Sequence, residues 1–222
     1  MSQINILLVE GEADRSFFEA LCKHLELPVV VKIATPRDAG QYKNSKEAAF
    51  AAVEKTYLSQ LTDGQTERLA IVVDADRVAD GGGFDNTLAK LTQLLTGKGY
   101  VLSTPASQGL VFTHGDGLHD LGAWIMPNNA DEGALEHWIQ LNLHADEAAL
   151  MQHACCSIDQ IPHAPKFKTT RRSKAEVSTW LAWQSEPDHG LWQAVKPGLL
   201  DESAPQFLAL KAWLVQIFPV AK

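Results

Sequence analysis

Short uninterrupted apolar runs alternate along this chain with longer stretches of helical periodicity, and their order outlines a fold. INILLV (residues 4–9) and LAIVV (residues 69–73) lack the polar alternation of a strand with one wet face. They predict strands covered on both sides. VVVKIA (29–34), YVLSTP (100–105) and the segments 109–113 and 122–126 predict further strands. Phe17, Phe18, Leu21 and Leu25 recur at helical spacing after the first strand. An alanine-rich helix is expected over 46–61 with Ser45 as its N-cap, and another over 87–95. Asn129 or Asp131 is expected to cap a helix that turns Leu135, Trp138, Ile139 and Leu143 inward. From about Ala145 the pattern is mostly helical, with Trp180, Leu181, Trp183, Trp192, Phe207, Leu210, Trp213, Leu214, Ile217 and Phe218 as its apolar inventory. The alternation predicts an α/β fold, a parallel sheet with helices on both faces. It divides the chain into a core (1–144) and a helical C-terminal extension (145–222) packed on that core. Residues 35–44 and the glycines 81–83 read as loops.

Both long apolar runs end in acids. Glu10 follows the first, with Gly11 permitting a sharp turn into a helix; Asp74 and Asp76 end the second. Residues two apart on a strand share a face, so these two aspartates are placed to reach one point. Carboxylates that close raise one another's pKa, and a divalent cation relieves the repulsion. The competing reading is a solvated loop after a strand. If the two strands are neighbours, Glu10, Asp14, Asp74 and Asp76 converge at the carboxyl edge of the sheet, where open α/β sheets bind ligands. Asp80, four residues beyond Asp76, is a further metal candidate. Glu132 and Glu136 are expected one helical turn apart on a shared face, which by itself reads as a solvated acidic face near a helix N-terminus.

The segments VEGEAD (9–14) and VVDAD (72–76) resemble the two motifs of the Toprim domain found in topoisomerases, bacterial primases and OLD (overcoming lysogenization defect) nucleases. GAWIMPNN (122–129), GALEHW (133–138) and SKAEVSTWLAW (173–183) look like an uncharacterised family of compact Toprim-related proteins. The resemblance implies a Rossmannoid Toprim-like sheet. It further implies Mg²⁺ (or Mn²⁺) bound by Asp74 and Asp76, and Glu10 in an acid–base or metal role. OLD-type nucleases carry an acid four residues after the first Glu, which maps onto Asp14; GALE adds Glu136. A lysine that stabilises transition-state charge maps onto Lys174, or else Lys168. The implied activity is phosphodiester hydrolysis of DNA or RNA, of a kind used in defence against mobile elements or phage. No GxxxxGK[ST] is present, so an ATPase function would come from a partner. Tyr42, Tyr57 and Tyr100 lack a topoisomerase context. The rival expectation is a non-catalytic Toprim relative that binds a nucleotide or a partner protein as a sensor.

Charge qualifies the nucleic-acid reading. The net charge of −8 argues against a general nucleic-acid coat, because phosphate contacts dominate such affinity. Residues 166–174 reverse the sign locally with Lys166, Lys168, Arg171, Arg172 and Lys174 and no acid. They are either phosphate contacts or a solvated loop. His114, Asp116, His119 and Asp120, and His153, Cys155, Cys156 and His163, imitate zinc clusters but match no ligand spacing. With three cysteines, no apolar run long enough for a membrane and no basic–apolar leader, the expectation is a cytoplasmic protein. Oligomeric state is left open.

Overall fold

The computed structural model describes residues 4–34, 44–104, 108–188 and 190–220. The loop expected at 35–43, including Tyr42, and Pro105 at the end of an expected strand lie outside them. Six strands form one sheet: β1 (Ile4–Val9), β2 (Val30–Ile33), β3 (Thr66–Asp74), β4 (Tyr100–Leu102), β5 (Leu110–His114) and β6 (Leu121–Met126). Their order is β2-β1-β3-β6-β5-β4. β2, β1, β3 and β6 are parallel, whereas β5 runs antiparallel to both β6 and β4. The expected parallel sheet is therefore mixed at one edge. The connection 115–120 is too short for a crossover, so β6 must return alongside β5.

Seven helices occur among the described residues. They are α1 (Glu12–His24), α2 (Ser45–Ala52, continued by a π turn at Val53–Tyr57 and by Leu58–Thr62), α3 (Phe84–Thr96), α4 (Leu135–Leu141), α5 (Ala148–Asp159), α6 (Arg172–Ala182) and α7 (Pro205–Ile217). Strand alternation divides the interior in two. Leu7, Val9, Ala70, Val72, Trp124 and Met126 face α1 and α4–α7. Ile6, Leu8, Leu69, Ile71, Val73, Ala123 and Ile125 face α2 and α3. The doubly covered parts of β1 and β3 thus need apolar residues at consecutive positions, which is why residues 6–9 and 69–73 read as continuous runs.

The helical extension supplies much of the first layer. Phe17 meets Trp138 edge-to-face and Trp138 meets Phe207 at a tilt, at centroid separations of 5.6 and 5.8 Å, and these contacts join α1, α4 and α7. Trp213 lies 5.5 Å from Trp124, and its Nε1 donates to the Leu110 carbonyl at 3.2 Å. A Cβ on Gly122 would come within 2.7 Å of Ile217 and 3.0 Å of Trp213, so only glycine lets α7 lie this close to β6. Trp183 and Trp192 are the exceptions, at about 40% exposed each. Among the described residues no helix is long and apolar enough to cross a membrane.

Three helix starts differ from expectation, and two bear on the site. Asn44, not Ser45, caps α2, its side chain accepting from Glu47 N at 2.8 Å. The expected helix from Asn129 or Asp131 starts only at Leu135. Asn129 (φ 57°) and Gly133 (φ 143°) adopt backbone that a helix excludes, and Asn129 Oδ1 instead accepts from Ile125 N. Glu132 is therefore outside α4 and shares no helical face with Glu136; it accepts from Val78 N at 2.6 Å. The third, α3, begins at Phe84, just after the glycines.

Candidate functional site

Glu10 leaves β1 at the carboxyl edge of the sheet, beside the end of β3. Its Oε1 accepts from Asp74 N at 2.9 Å and its Oε2 from Ser45 Oγ at 3.0 Å. Ser45, released from capping, thereby ties α2 to the glutamate. Burial raises the Glu10 pKa to about 7, against the opposing pull of Lys46 and these two hydrogen bonds. Asp14, in the first turn of α1, accepts from Gly11 N at 3.1 Å and so satisfies an otherwise open helix donor. Burial lifts it to about 6, with Lys174 lowering it and Glu136 raising it.

Asp74 stands at the centre of this group. Its Oδ1 accepts from Leu135 N at the start of α4, at 3.1 Å. Burial, then repulsion from Glu10, Asp14 and Glu136, pushes its carboxyl well above the ordinary range, with Lys174 opposing. Glu136 is 2% exposed. Its Oε1 meets Lys174 Nζ at 3.1 Å, while its Oε2 has no hydrogen-bond partner among the described residues. Burial alone would lower the Lys174 pKa, but Glu136, Asp74 and Asp14 raise it on balance. Of the two lysines expected to serve the site, Lys174 is the one in contact with its acids; Lys168 is an exposed residue at the cap of the 3₁₀ turn Thr169–Arg171.

Asp76 is engaged elsewhere. Its Oδ2 lies 2.5 Å from Nζ of Lys46, a buried residue of the first turn of α2. Sequence reasoning missed both Lys46 and Ser45. Nothing in an alanine-rich helix marks a lysine as belonging to an acid thirty positions on. Asp74, Asp76, Lys46, Asp80 and Lys174 line a common cleft of about 730 Å³, with Arg77, Lys90, His137, Thr170 and Arg172 among its other walls. Two of the three glycines, Gly81 and Gly82, line it as well. A Cβ on Gly82 would fall 2.6 Å from Asp76 Cβ and 2.7 Å from the Ala75 carbonyl, so glycine is needed for this loop to close on the end of β3.

The basic segment is divided in its roles. Lys166, Lys168 and Arg171 are exposed. Arg172 instead holds Asp159 and Glu176, each at 2.7 Å, and Gln140 donates to the other Glu176 oxygen at 2.9 Å. An arginine bound to two acids is poorly placed to give its charge to phosphate.

All the acids here offer oxygen, the donor that Mg²⁺ and Mn²⁺ prefer. As placed, no three His, Cys, Asp or Glu side chains among the described residues form a ready metal-binding group. The hydrogen bonds to Asp74 N, Gly11 N and Leu135 N, and the Lys174 pair, hold the carboxylates on separate partners. The Glu136 oxygen left without a hydrogen-bond partner among the described residues, and the mutual repulsion of these acids, are the chemistry that a divalent cation would relieve.

The shifts have a consequence for stability. Glu10 rises from 4.5 to about 7 and Asp14 from 3.8 to about 6 on folding. Between those limits the folded chain keeps protons that the unfolded chain releases, so stability falls as pH rises through this window. Metal-free protein is expected to melt several degrees higher near pH 5 than near pH 8, as read by calorimetry. Equal melting at both would show that these carboxyls are solvated.

The fold and the cleft together define an α/β protein with an acid-and-lysine site at the carboxyl edge of its sheet. The chain belongs to the family described as Protein of unknown function (DUF3226), whose profile matches residues 4–219. No curated protein and no solved structure matches it.

Proposed function

We propose that this protein is a Toprim-type nuclease that hydrolyses phosphodiester bonds of DNA or RNA with Mg²⁺ or Mn²⁺. The observation that carries the reading is the grouping of Asp74 with Glu10, Asp14, Glu136 and Lys174 on one sheet edge, where Asp74 and Lys174 line the cleft. Glu10, Asp14, Asp74 and Glu136 would hold the cation, and the Lewis acidity that it supplies would polarise the phosphoryl group and acidify a water. Glu10, raised by burial to about 7 while no cation is bound, would be suited to take or give a proton near neutral pH only when it is not itself a ligand. Lys174 is suited to stabilise charge on the phosphoryl oxygens. Lys166, Lys168 and Arg171 would hold the backbone of the substrate on the rim. Cytoplasmic action, a role against mobile elements or phage, and an ATPase partner belong to the same proposal. The Lys46–Asp76 pair favours the rival, a binding protein without hydrolysis, because it neutralises one of the two motif aspartates.

Single- and double-stranded DNA and RNA, each with Mg²⁺ or Mn²⁺, form the test. Cleavage is expected, and Lys174→Ala should lower it by about 10²-fold or more. Alanine at Lys166, Lys168 and Arg171 together should flatten log affinity against log salt by about 2 for a single strand. Wild-type protein that binds and cuts none of these polymers would remove the nuclease reading and leave the sensor.

A further inference from the structure

We propose that Lys46 is a built-in counter-cation that withdraws Asp76 from metal binding, so that the cleft takes one divalent ion rather than two. The inference rests on the metal-dependent reading above. Its starting point is the cost of Lys46 where it stands. The side chain is only 11% exposed, and a cation in the first turn of a helix faces the positive end of the helix dipole. Burial and dipole both oppose the charge, and Asp76 Oδ2 at 2.5 Å, with the Ala75 carbonyl at 3.4 Å, is what offsets them. Ala48, Ala49 and Ala52, all buried, bring α2 close enough to the sheet for this short reach.

Asp76 is equally committed. Its backbone is left-handed (φ 61°), a conformation uncommon outside glycine. It is held there by Gly133, which accepts from Asp76 N at 2.8 Å and donates to Asp76 O at 3.2 Å, and by Gly82 against its Cβ. The turn breaks strand alternation, so the two motif aspartates no longer share a direction. Asp74 is held by α4 and feels chiefly Glu10, Asp14, Glu136 and Lys174, whereas Asp76 is held by α2. Glu136, whose Oε2 has no hydrogen-bond partner among the described residues, is on the Asp74 side. A second ion at Asp76, whose side chain is 56% exposed, would have to displace the Lys46 ammonium against that ammonium's own charge.

The experiment counts Mn²⁺ on the full chain by calorimetric titration, with electron paramagnetic resonance to detect paired ions. Wild type is expected to bind one ion. Lys46→Met should bind two, the second lost again when Asp76→Asn is added. Asp76→Asn alone should keep the single ion with affinity within about threefold, whereas loss of a ligand or of its close support weakens binding by about tenfold or more. Asp76→Asn keeps the question open to test should Lys46→Met fail to fold. Two ions on the wild type, one ion on a folded Lys46→Met, or a tenfold loss in Asp76→Asn would each overturn the Lys46 assignment while leaving metal binding intact. Absence of any Mn²⁺ binding by the wild type would instead overturn the metal reading, and this inference with it.

Discussion

Trp213→Ala is expected to remove about 3–5 kcal/mol of folding stability, the usual range for truncating a fully buried tryptophan. Trp213 is 0% exposed, packs on Trp124, and fills the space left by Gly109 and Gly122. Its loss opens a cavity between α7 and the sheet and leaves the Leu110 carbonyl without its indole donor. Domains of this kind have about 5–15 kcal/mol in hand, so the variant should approach the edge of folding. Urea titration with tryptophan fluorescence and circular dichroism measures the change. A loss under about 1 kcal/mol would mean that α7 contributes little to the sheet's cover, contrary to the shared apolar interior.

Asp74→Asn is expected to separate stability from ligand response. The asparagine carbonyl can still accept from Leu135 N, so the start of α4 keeps its anchor. What disappears is a charge pressed between Glu10, Asp14 and Glu136. Metal-free variant should therefore melt a few degrees above the wild type near pH 8, where the neighbouring acids are most charged. Mn²⁺ at about 100 times its Kd should stabilise the wild type by about 2.7 kcal/mol, roughly 5–10 °C for a chain of this size, and the variant hardly at all. The same substitution should abolish any cleavage the wild type shows. An Asp74→Asn protein with an unchanged Mn²⁺ response would place the ion elsewhere.

What could be read from the sequence was whatever a strand or helix states locally. β1 and β3 announce themselves because both faces are covered, and each ends in the acid that defines the sheet edge. Asp14 was legible through its spacing from Glu10, and Lys174 through the resemblance around it. Features decided by one residue of register, or by contacts between distant elements, were not. Asn44 and Ser45 are both good caps, and only the fold assigns the first to α2 and the second to Glu10. PNNADEG offers several capping residues in a row, yet left-handed backbone at Asn129 and Gly133 delays α4 and separates Glu132 from Glu136. Arg172 looked like its basic neighbours, although Glu176 at helical spacing was a visible competitor for its charge. Lys46 carried no local sign, because its partner is brought to it only by the packing of α2 on the sheet.

The cleft draws on both helical layers and on distant parts of the chain, and this orders events during synthesis. Glu10, Asp14, Lys46 and Asp74 emerge from the ribosome first; Glu136 and then Lys174 follow much later. Contacts of such long sequence separation form late, after the loops between them have closed. A nascent chain that ends before α6 therefore carries the crowded acids of the sheet edge without the lysine that balances Glu136, and with one wall of the cleft absent. On the proposed reading, the hydrolytic centre cannot be assembled on a half-made molecule: competence waits for Lys174 in α6 and for the cover that α7 then lays on the sheet.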